Sequence, residues 1–136
     1  MKNKLKEITQ LVEKNTHLDQ KKNWFLNLIF INEEESRQLN KQYRQKNYPA
    51  DVLTFPFAYL YHENIGDCEN LGDIFLCYPL VKNQSQEFQS SFNEEICLIF
   101  THGMLHLLGY EHQRKDEKKI MFDLQDKILA EINWEC

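Results

Sequence analysis

The sequence predicts an α+β fold: a single domain over residues 1–136, in which a small mixed β-sheet packs with about five helices. Three observations support this prediction. A length of 136 residues suits one domain with its own core. A hydrophobic content of 42%, with 12% aromatic residues, is typical of a folded globule. Segments with helical spacing of apolar residues alternate with β-rich runs, and no linker, internal repeat or low-complexity tract interrupts them.

The first half of the chain is expected to form two helices and two strands. Apolar residues at helical spacing predict a helix over Lys4–Lys14. The run WFLNLIFIN, Trp24–Asn32, predicts a strand that is largely buried. Asn32 can cap the next helix, EEESRQLNKQYR, which has acids at its start and cations near its end, as the helix dipole favours. The run DVLTFPF, Asp51–Phe57, predicts a strand, and Pro56 indicates either an edge strand or the end of the strand, because a proline cannot donate to a central ladder.

The middle of the chain is expected to supply a loop, a third strand and a helix. Ala58–Leu71 is polar and predicts a loop. Gly72 then introduces a strand over Asp73–Tyr78, and Pro79 begins a helix that continues to about Phe88.

Two further helices are predicted near the C-terminus. Ser91, followed three residues later by Glu94, is a capping-box signature, and the helix after it is expected to end at Gly109. An amphipathic last helix is predicted from apolar residues that recur at Ile120, Met121, Leu124, Ile128, Leu129 and Ile132.

Charge is distributed unevenly along the chain. The net charge of −5 argues against a general nucleic-acid-binding surface. Ser36–Tyr48 nevertheless contains four cations and no acid: Arg37, Lys41, Arg44 and Lys46. This run is either a solvated helix face, which the sequence alone favours, or a local phosphate-binding patch in an acidic protein.

The cysteines and the hydropathy pattern predict a cytoplasmic protein without disulfides. Cys68, Cys77, Cys97 and Cys136 form no C-x-x-C pair, so free thiols are expected, with Cys97 as a small core residue. No apolar run is long enough to span a bilayer, and the charged N-terminal segment lacks the apolar core of a signal peptide.

Three of the five histidines lie within the stretch FTHGMLHLLGYEH. His102 and His106 are four residues apart on a predicted helix, which places both rings on one face, about one turn apart. Gly109 lets the chain reverse, so that His112 can return over them. Three imidazoles in an apolar context need a partner, and with an open fourth position they are typical of a catalytic zinc site. A zincin-like metal site is therefore expected on a central helix, with one zinc ion per chain.

The spacing of this stretch matches the metallopeptidase pattern H-E-x-x-H-x-x-G-x-x-H at each histidine and at its glycine. The second position differs, because Gly103 stands where a peptidase has the glutamate that acts as general base. The geometry therefore indicates a zincin-like site, and the chemistry indicates a reaction other than peptide hydrolysis.

The same stretch resembles the H-G-x-L-H-L-x-G-Y-D-H signature of the YbeY family, the bacterial endoribonucleases of rRNA maturation. Leu39–Phe57 is similar to the family segment L-N-x-x-Y-R-x-K-x-x-x-T-D-V-L-S-F-P, and Leu71–Leu76 is similar to its L-G-D-I strand. These blocks stand in the family's order and together are highly specific. The departures are Glu111 where the family usually has Asp, Ala50 where it has Thr, and Thr54 where it has Ser.

The resemblance implies a single-strand-specific, metal-dependent endoribonuclease that acts in 16S rRNA 3′-end maturation and ribosome quality control. Its partners would be single-stranded RNA and the small ribosomal subunit with its assembly factors, and neither DNA nor a membrane is expected. Arg44 matches the arginine of the Y-R block and is the expected catalytic phosphate clamp. From the residues alone, an ordinary arginine at a helix C-terminus is an equally good interpretation of Arg44. Lys41 and Lys46 could extend the positive path. Tyr43 and Tyr48 could stack bases, although tyrosines at such positions more often pack.

Two alternatives remain open at the level of sequence. The protein could be a ribosome-assembly factor with a structural zinc site and little nuclease activity. A zinc peptidase is a third possibility, against which Gly103 is the main feature.

Overall fold

The structure is a computed structural model that describes residues 2–16, 18, 23–56 and 69–132. Over these residues it contains five helices and three strands, as the sequence predicts. In chain order they are α1 (Lys2–Asn15), β1 (Trp24–Ile31), α2 (Glu33–Arg44), β2 (Val52–Pro56), β3 (Glu69–Cys77), α3 (Tyr78–Glu87), α4 (Phe92–Leu107) and α5 (Lys115–Ala130).

The three strands form a mixed sheet in the order β1-β3-β2, with β1 parallel and β2 antiparallel to β3. The prediction that the proline-containing strand lies at an edge is confirmed, since β2 is an edge strand and ends at Pro56. The prediction that β1 is largely buried is wrong, because Phe25 and Phe30 are exposed. β1 lies at the opposite edge of the sheet, where neighbouring chain covers a strand less completely.

Strand β3 begins earlier than the sequence suggests. Glu69–Leu71 was expected to belong to a loop, but these residues belong to β3, and Glu69 and Asn70 pair with Trp24 and Phe25 of β1. One extra residue is accommodated on β3 before Asp73, where Gly72 adopts a φ of +129°. Pairing with a distant strand therefore extends β3 through a bulge that a glycine permits. The rest of the predicted loop, residues 58–68, lies outside the described residues.

Helix α4 is the central helix and lies directly against the sheet. Its core-facing side chains include Ile96, Phe100 and Met104, which join the buried cluster formed with α1, α5 and β3. A Cβ atom at Gly103 would lie 3.3 Å from the Thr54 side chain and 3.4 Å from that of Ile74. Gly103 therefore permits close approach of α4 to β2 and β3.

The predicted helix boundaries are explained by their caps. Asn32 accepts from the backbone N–H of Glu35, whose side chain accepts in turn from the N–H of Asn32, so the predicted cap of α2 is confirmed. Ser91 accepts from the N–H of Glu94 at the start of α4. These contacts satisfy backbone donors that have no partner within the helix.

Helix α5 packs through a narrower stripe than its apolar residues suggest. Met121, Gln125 and Ile128 are buried, whereas Ile120 is exposed, so its assignment to the packing face is wrong. One helical position corresponds to a rotation of about 100°, which turns Ile120 away from the core while Met121 enters it.

Two of the four cysteines lie within the described residues. Cys77 and Cys97 are buried free thiols, which confirms both the thiol state predicted for them and the core position predicted for Cys97. Cys68 and Cys136 lie outside the described residues. Across the described part of the chain, no helix combines the length and hydropathy needed to cross a membrane.

Candidate metal centre and adjoining groove

The three predicted histidines meet at one point of the structure. Helix α4 places the ring centroids of His102 and His106 4.6 Å apart. The helix ends through a hydrogen bond from the Tyr110 N–H to the Leu105 carbonyl, with Gly109 at a φ of +98°. This turn returns His112 to ring-centroid distances of 5.3 Å from His102 and 5.0 Å from His106.

The ring nitrogens of this triad converge as metal ligands do. One nitrogen from each histidine lies within 4.8 Å of the other two. The Nε2 atoms of His102 and His106 are 3.1 Å apart and face each other. This is an arrangement of nitrogen donors that suits a single metal ion with a further position left for water or substrate. The residues present therefore fit a metal ion.

A buried glutamine orients the first histidine of the triad. The Oε1 atom of Gln125, on α5, lies 2.9 Å from Nδ1 of His102, and Gln125 is only 4% exposed. Because an amide oxygen accepts, Nδ1 of His102 carries the proton and Nε2 keeps its lone pair for a metal. Sequence reasoning missed Gln125, although a polar residue in the middle of the apolar stripe of α5 was a usable signal.

Burial keeps two of the three histidines neutral. It lowers the pKa of His102, and burial together with the neighbouring histidines lowers the pKa of His106 to about 4. Neutral rings retain the lone pairs that a metal needs. A smaller lowering of the His106 pKa comes from the positive charge of Arg44, which places that guanidinium within the electrostatic reach of the triad.

The Nδ1 side of the His106 ring, opposite the Nε2 atom that faces His102, lies toward the segment that leads to His112. The backbone of Tyr110 faces the His106 ring and raises its pKa, against the lowering by burial. The carboxylate of Glu111 lies 3.9 Å from Nδ1 of the same ring, which is beyond a hydrogen bond. The longer side chain at this position, where the resembling family usually has Asp, is therefore near the ligand without holding it directly.

The triad opens into a groove of about 1040 Å³. One wall comes from the end of α2 and the segment that follows it, and includes Tyr43, Arg44, Lys46 and Tyr48. Two of the predicted RNA-binding cations, Arg44 and Lys46, thus line the groove. Lys41 is exposed on α2 but is not part of this lining.

The remaining cation of the basic run is neutralised locally. The guanidinium of Arg37 makes a paired contact with the carboxylate of Glu34, one turn earlier in α2, and donates to the Asn47 side chain at 2.6 Å. Of the four cations in the run, Arg44 and Lys46 are therefore the two that lie beside the histidines.

Buried polar side chains hold the segment after α2 in place. Ser36 donates to the carbonyl of Ala50 at 2.7 Å and accepts from its N–H at 2.9 Å. Asn40 donates to the carbonyl of Tyr48 at 2.8 Å. Both side chains are buried, so these bonds form in a poorly solvated setting where losing one is costly. We refer to residues 45–50, fixed in this way, as the pinned segment.

Comparison with known proteins identifies close relatives over most of the chain. The family model described as endoribonuclease YbeY matches residues 1–133. An endoribonuclease YbeY of Ureaplasma parvum is 40% identical over 131 residues, which are 95% of this chain and 79% of that protein. One from Spiroplasma citri is 42% identical over 113 residues, 79% of this chain and 70% of the relative.

A solved structure shares the fold. The solution structure of a Thermotoga maritima protein superposes with a TM-score of 0.61 at 31% sequence identity, covering 95% of this chain and 81% of that one. The sequence relative from Ureaplasma parvum and this solved structure each cover 95% of the chain. The residues matched by the family model, 1–133, include the histidine triad and the groove.

Proposed function

Because the chain belongs to the endoribonuclease YbeY family, we propose that it is a zinc-dependent endoribonuclease specific for single-stranded RNA. We further propose that it acts in the cytoplasm on the 3′ end of 16S rRNA and in ribosome quality control, with the small ribosomal subunit and its assembly factors as partners. The observation that carries the catalytic proposal is the convergence of three histidine nitrogens beside a groove lined by Arg44 and Lys46.

In this proposal His102, His106 and His112 hold one zinc ion. When bound, zinc supplies Lewis-acid chemistry at a phosphate oxygen and makes a water molecule acidic near neutral pH. The protein supplies geometry: Gln125 fixes the proton of His102 on Nδ1, and the turn at Gly109 brings His112 to the other two ligands. The open groove leaves space for substrate, which favours a catalytic site over a closed structural one.

Arg44 is proposed as the catalytic clamp on the scissile phosphate. Cleavage of a phosphodiester builds negative charge on the non-bridging oxygens, and a guanidinium can donate two parallel hydrogen bonds to them. Arg44 lines the groove, and its charge reaches His106. Lys46 would contact a neighbouring phosphate. Lys41, about one turn before Arg44 in α2 and outside the groove lining, would contact a phosphate of a longer RNA strand.

A peptidase is disfavoured by the packing of α4. Gly103 stands where a metallopeptidase has its glutamate, and the space beside it is filled by side chains of β2 and β3. A Cβ atom alone would already be tightly packed there, so a catalytic carboxylate would have to displace these side chains.

The test is Arg44→Lys, which keeps the positive charge but loses the planar fork. Loss of one donor of this kind costs about 10²–10³ in rate, so cleavage of single-stranded RNA should fall by that order. Zinc content and melting temperature should stay near those of the wild type. Turnover, metal content and thermal unfolding are measured on the same preparation.

Arg37→Lys is the matched control, because it makes the same replacement on the same helix, at an arginine that pairs with Glu34 outside the groove. Its cleavage rate should equal that of the wild type. Unchanged turnover of Arg44→Lys would remove Arg44 from catalysis. Absence of RNA cleavage by the zinc-loaded wild type would instead favour an assembly factor with a structural zinc site.

A further inference from the structure

The groove presents two aromatic side chains that the proposed cleavage does not use. Tyr43 is 52% exposed and Tyr48 is 56% exposed, and both line the same groove as the histidine triad. Large aromatic rings at the surface are often binding groups when they lie in a concave site. These two are therefore the candidates for contact with whatever the groove accepts.

The ring of Tyr43 packs against one aromatic ring of the sheet, which packs in turn against a second. It packs edge-on with Phe55 at a centroid distance of 5.1 Å, and Phe55 packs edge-on with Phe75 at 5.6 Å. Both supporting residues belong to strands, β2 and β3. Such edge-to-face contacts restrict the ring, so Tyr43 is held by the sheet while half of its surface stays exposed.

Tyr48 is held through its backbone. It belongs to the pinned segment, in which Asn40 bonds its carbonyl and Ser36 bonds both backbone groups of Ala50. The backbone that carries Tyr48 is thus ordered by buried hydrogen bonds before any ligand arrives. A binding surface ordered in advance loses less conformational entropy on binding.

The charges beside these rings indicate the class of ligand. Arg44 follows Tyr43 directly, and Lys46 lies two residues before Tyr48, in a protein whose net charge is −5. Aromatic faces interleaved with cations suit a single-stranded nucleic acid, whose bases stack while its phosphates contact the cations. A base-paired duplex would keep its bases stacked on one another and unavailable to the tyrosines.

We infer that Tyr43 and Tyr48 form a nucleobase-stacking subsite that binds unpaired bases of RNA next to the metal centre. The inference rests on the proposed function, because it assumes that the groove binds RNA. It adds a structural basis for selecting single strands. Stacking tolerates any base, since each base has a π face, so the subsite would select strandedness rather than sequence.

The experiment measures the affinity of the zinc-loaded full chain for a short, fluorescently labelled, unstructured RNA whose backbone linkages are chemically modified to resist cleavage. Tyr43→Leu and Tyr48→Leu keep apolar volume and remove the aromatic face. Each should weaken binding about tenfold, within the range found for loss of one stacked base. Tyr78→Leu is the matched control, because Tyr78 is 48% exposed but is not part of the groove lining. Its affinity should equal that of the wild type.

Salt dependence separates stacking from charge. The tyrosine variants should bind more weakly at every salt concentration, and the slope of log affinity against log salt concentration should not change. Lys46→Ala should reduce the steepness of that slope by about the amount expected for one lost phosphate contact. An RNA with abasic positions should bind the wild type more weakly and lose its sensitivity to the tyrosine variants. Melting temperatures show whether Tyr43→Leu disturbs the ring stack, and Tyr43→Phe, which keeps the face, should restore affinity.

The outcomes distinguish this inference from the proposed function. Wild-type binding that both tyrosine variants and the abasic RNA leave unchanged would overturn the stacking subsite and leave the nuclease proposal standing. A wild type that does not bind single-stranded RNA would overturn both.

Discussion

A single hydrogen bond decides which nitrogen of His102 is available to a metal. Gln125 accepts from Nδ1 at 2.9 Å and is almost fully buried, so water cannot easily replace it. Without this acceptor the imidazole could carry its proton on either nitrogen, and one of the two forms cannot bind a metal through Nε2. Groups that hold a ligand in this way commonly change metal affinity about 10–100-fold when removed.

We therefore expect Gln125→Leu to weaken zinc binding by about 10–100-fold, and Gln125→Glu to keep or raise the affinity. Competition with a chelating dye measures the affinity, and nitrogen NMR of the metal-free protein reports the tautomer of His102. Asp126→Asn, at an exposed neighbouring position on α5, is the control and should change neither. Equal zinc affinity of Gln125→Leu and the wild type would show that Gln125 does not position His102.

Glu95 makes stability depend on pH. This side chain is 6% exposed, and burial, with Asp51 and Glu94 nearby, raises its pKa above 4.5. The folded protein therefore keeps the proton over a pH range in which the unfolded chain has lost it. Stability falls as pH rises through that range, and above it the fold carries the full cost of a buried carboxylate.

Glu95→Gln removes that cost, so its free energy of unfolding should exceed that of the wild type at pH 7. The gain should disappear near pH 3, where the carboxyl group is protonated in both states. Urea unfolding at the two pH values measures this difference. Glu87→Gln, at an exposed position in α3, controls for the loss of one negative charge. A gain in the free energy of unfolding of the same size at both pH values would show that ionisation of Glu95 is not its cause.

At the scale of elements, the contact between α4 and the sheet determines the position of His102 and His106. The helix approaches β2 and β3 closely at Gly103, and His102 and His106 lie on either side of that contact along the helix. Because the helix is fixed there, the two rings are directed toward the groove and the third ligand only needs one turn of chain to reach them. The glycine therefore serves packing, in a position where related spacing patterns use a catalytic acid.

Gly103→Glu should consequently destabilise the fold rather than create a peptidase. The new side chain would have to displace the side chains of Thr54 and Ile74 and bury a charge, which we expect to cost about 3 kcal/mol or more. Denaturant unfolding measures the loss. Asn93→Glu, at an exposed position in the first turn of α4, is the control and should be neutral or slightly stabilising. Near-normal stability of Gly103→Glu would contradict the close packing.

At the scale of the whole molecule, a bound metal would add a cross-link between α4 and the segment that follows it. The triad links α4 to the segment after it, and Gln125 links the triad to α5. A ligand that binds only the folded state stabilises it by about 2.7 kcal/mol at one hundred times its dissociation constant. For a chain of this length that corresponds to roughly 10 °C in melting temperature.

We therefore expect purified protein to carry close to one zinc ion per chain and to melt roughly 10 °C lower after chelation. Readdition of zinc should restore the melting temperature. His106→Ala should lose most of the metal and should melt at the same temperature with and without chelator. Full retention of zinc by this variant would contradict the assignment of the triad.

Local patterns in the sequence were enough to predict the helices and their ends. Helix periods, the caps at Asn32 and Ser91, and the helix end at Gly109 all agree with the structure. These features depend on residues within about one turn of one another, so their geometry follows from the backbone itself. The same reason made the convergence of His102 and His106 predictable, because residues four apart on a helix lie on one face.

Tertiary packing decided the features that join distant parts of the chain. Gln125 reaches His102 from 23 residues away, and β3 is extended by pairing with β1. Packing also decided that Arg44 and Lys46 line the groove and that Lys41 does not. Such contacts depend on how α5 crosses α4 and where α2 ends over the sheet. No spacing within one segment carries that information, because the relative position of two elements is set by the side chains that fill the space between them.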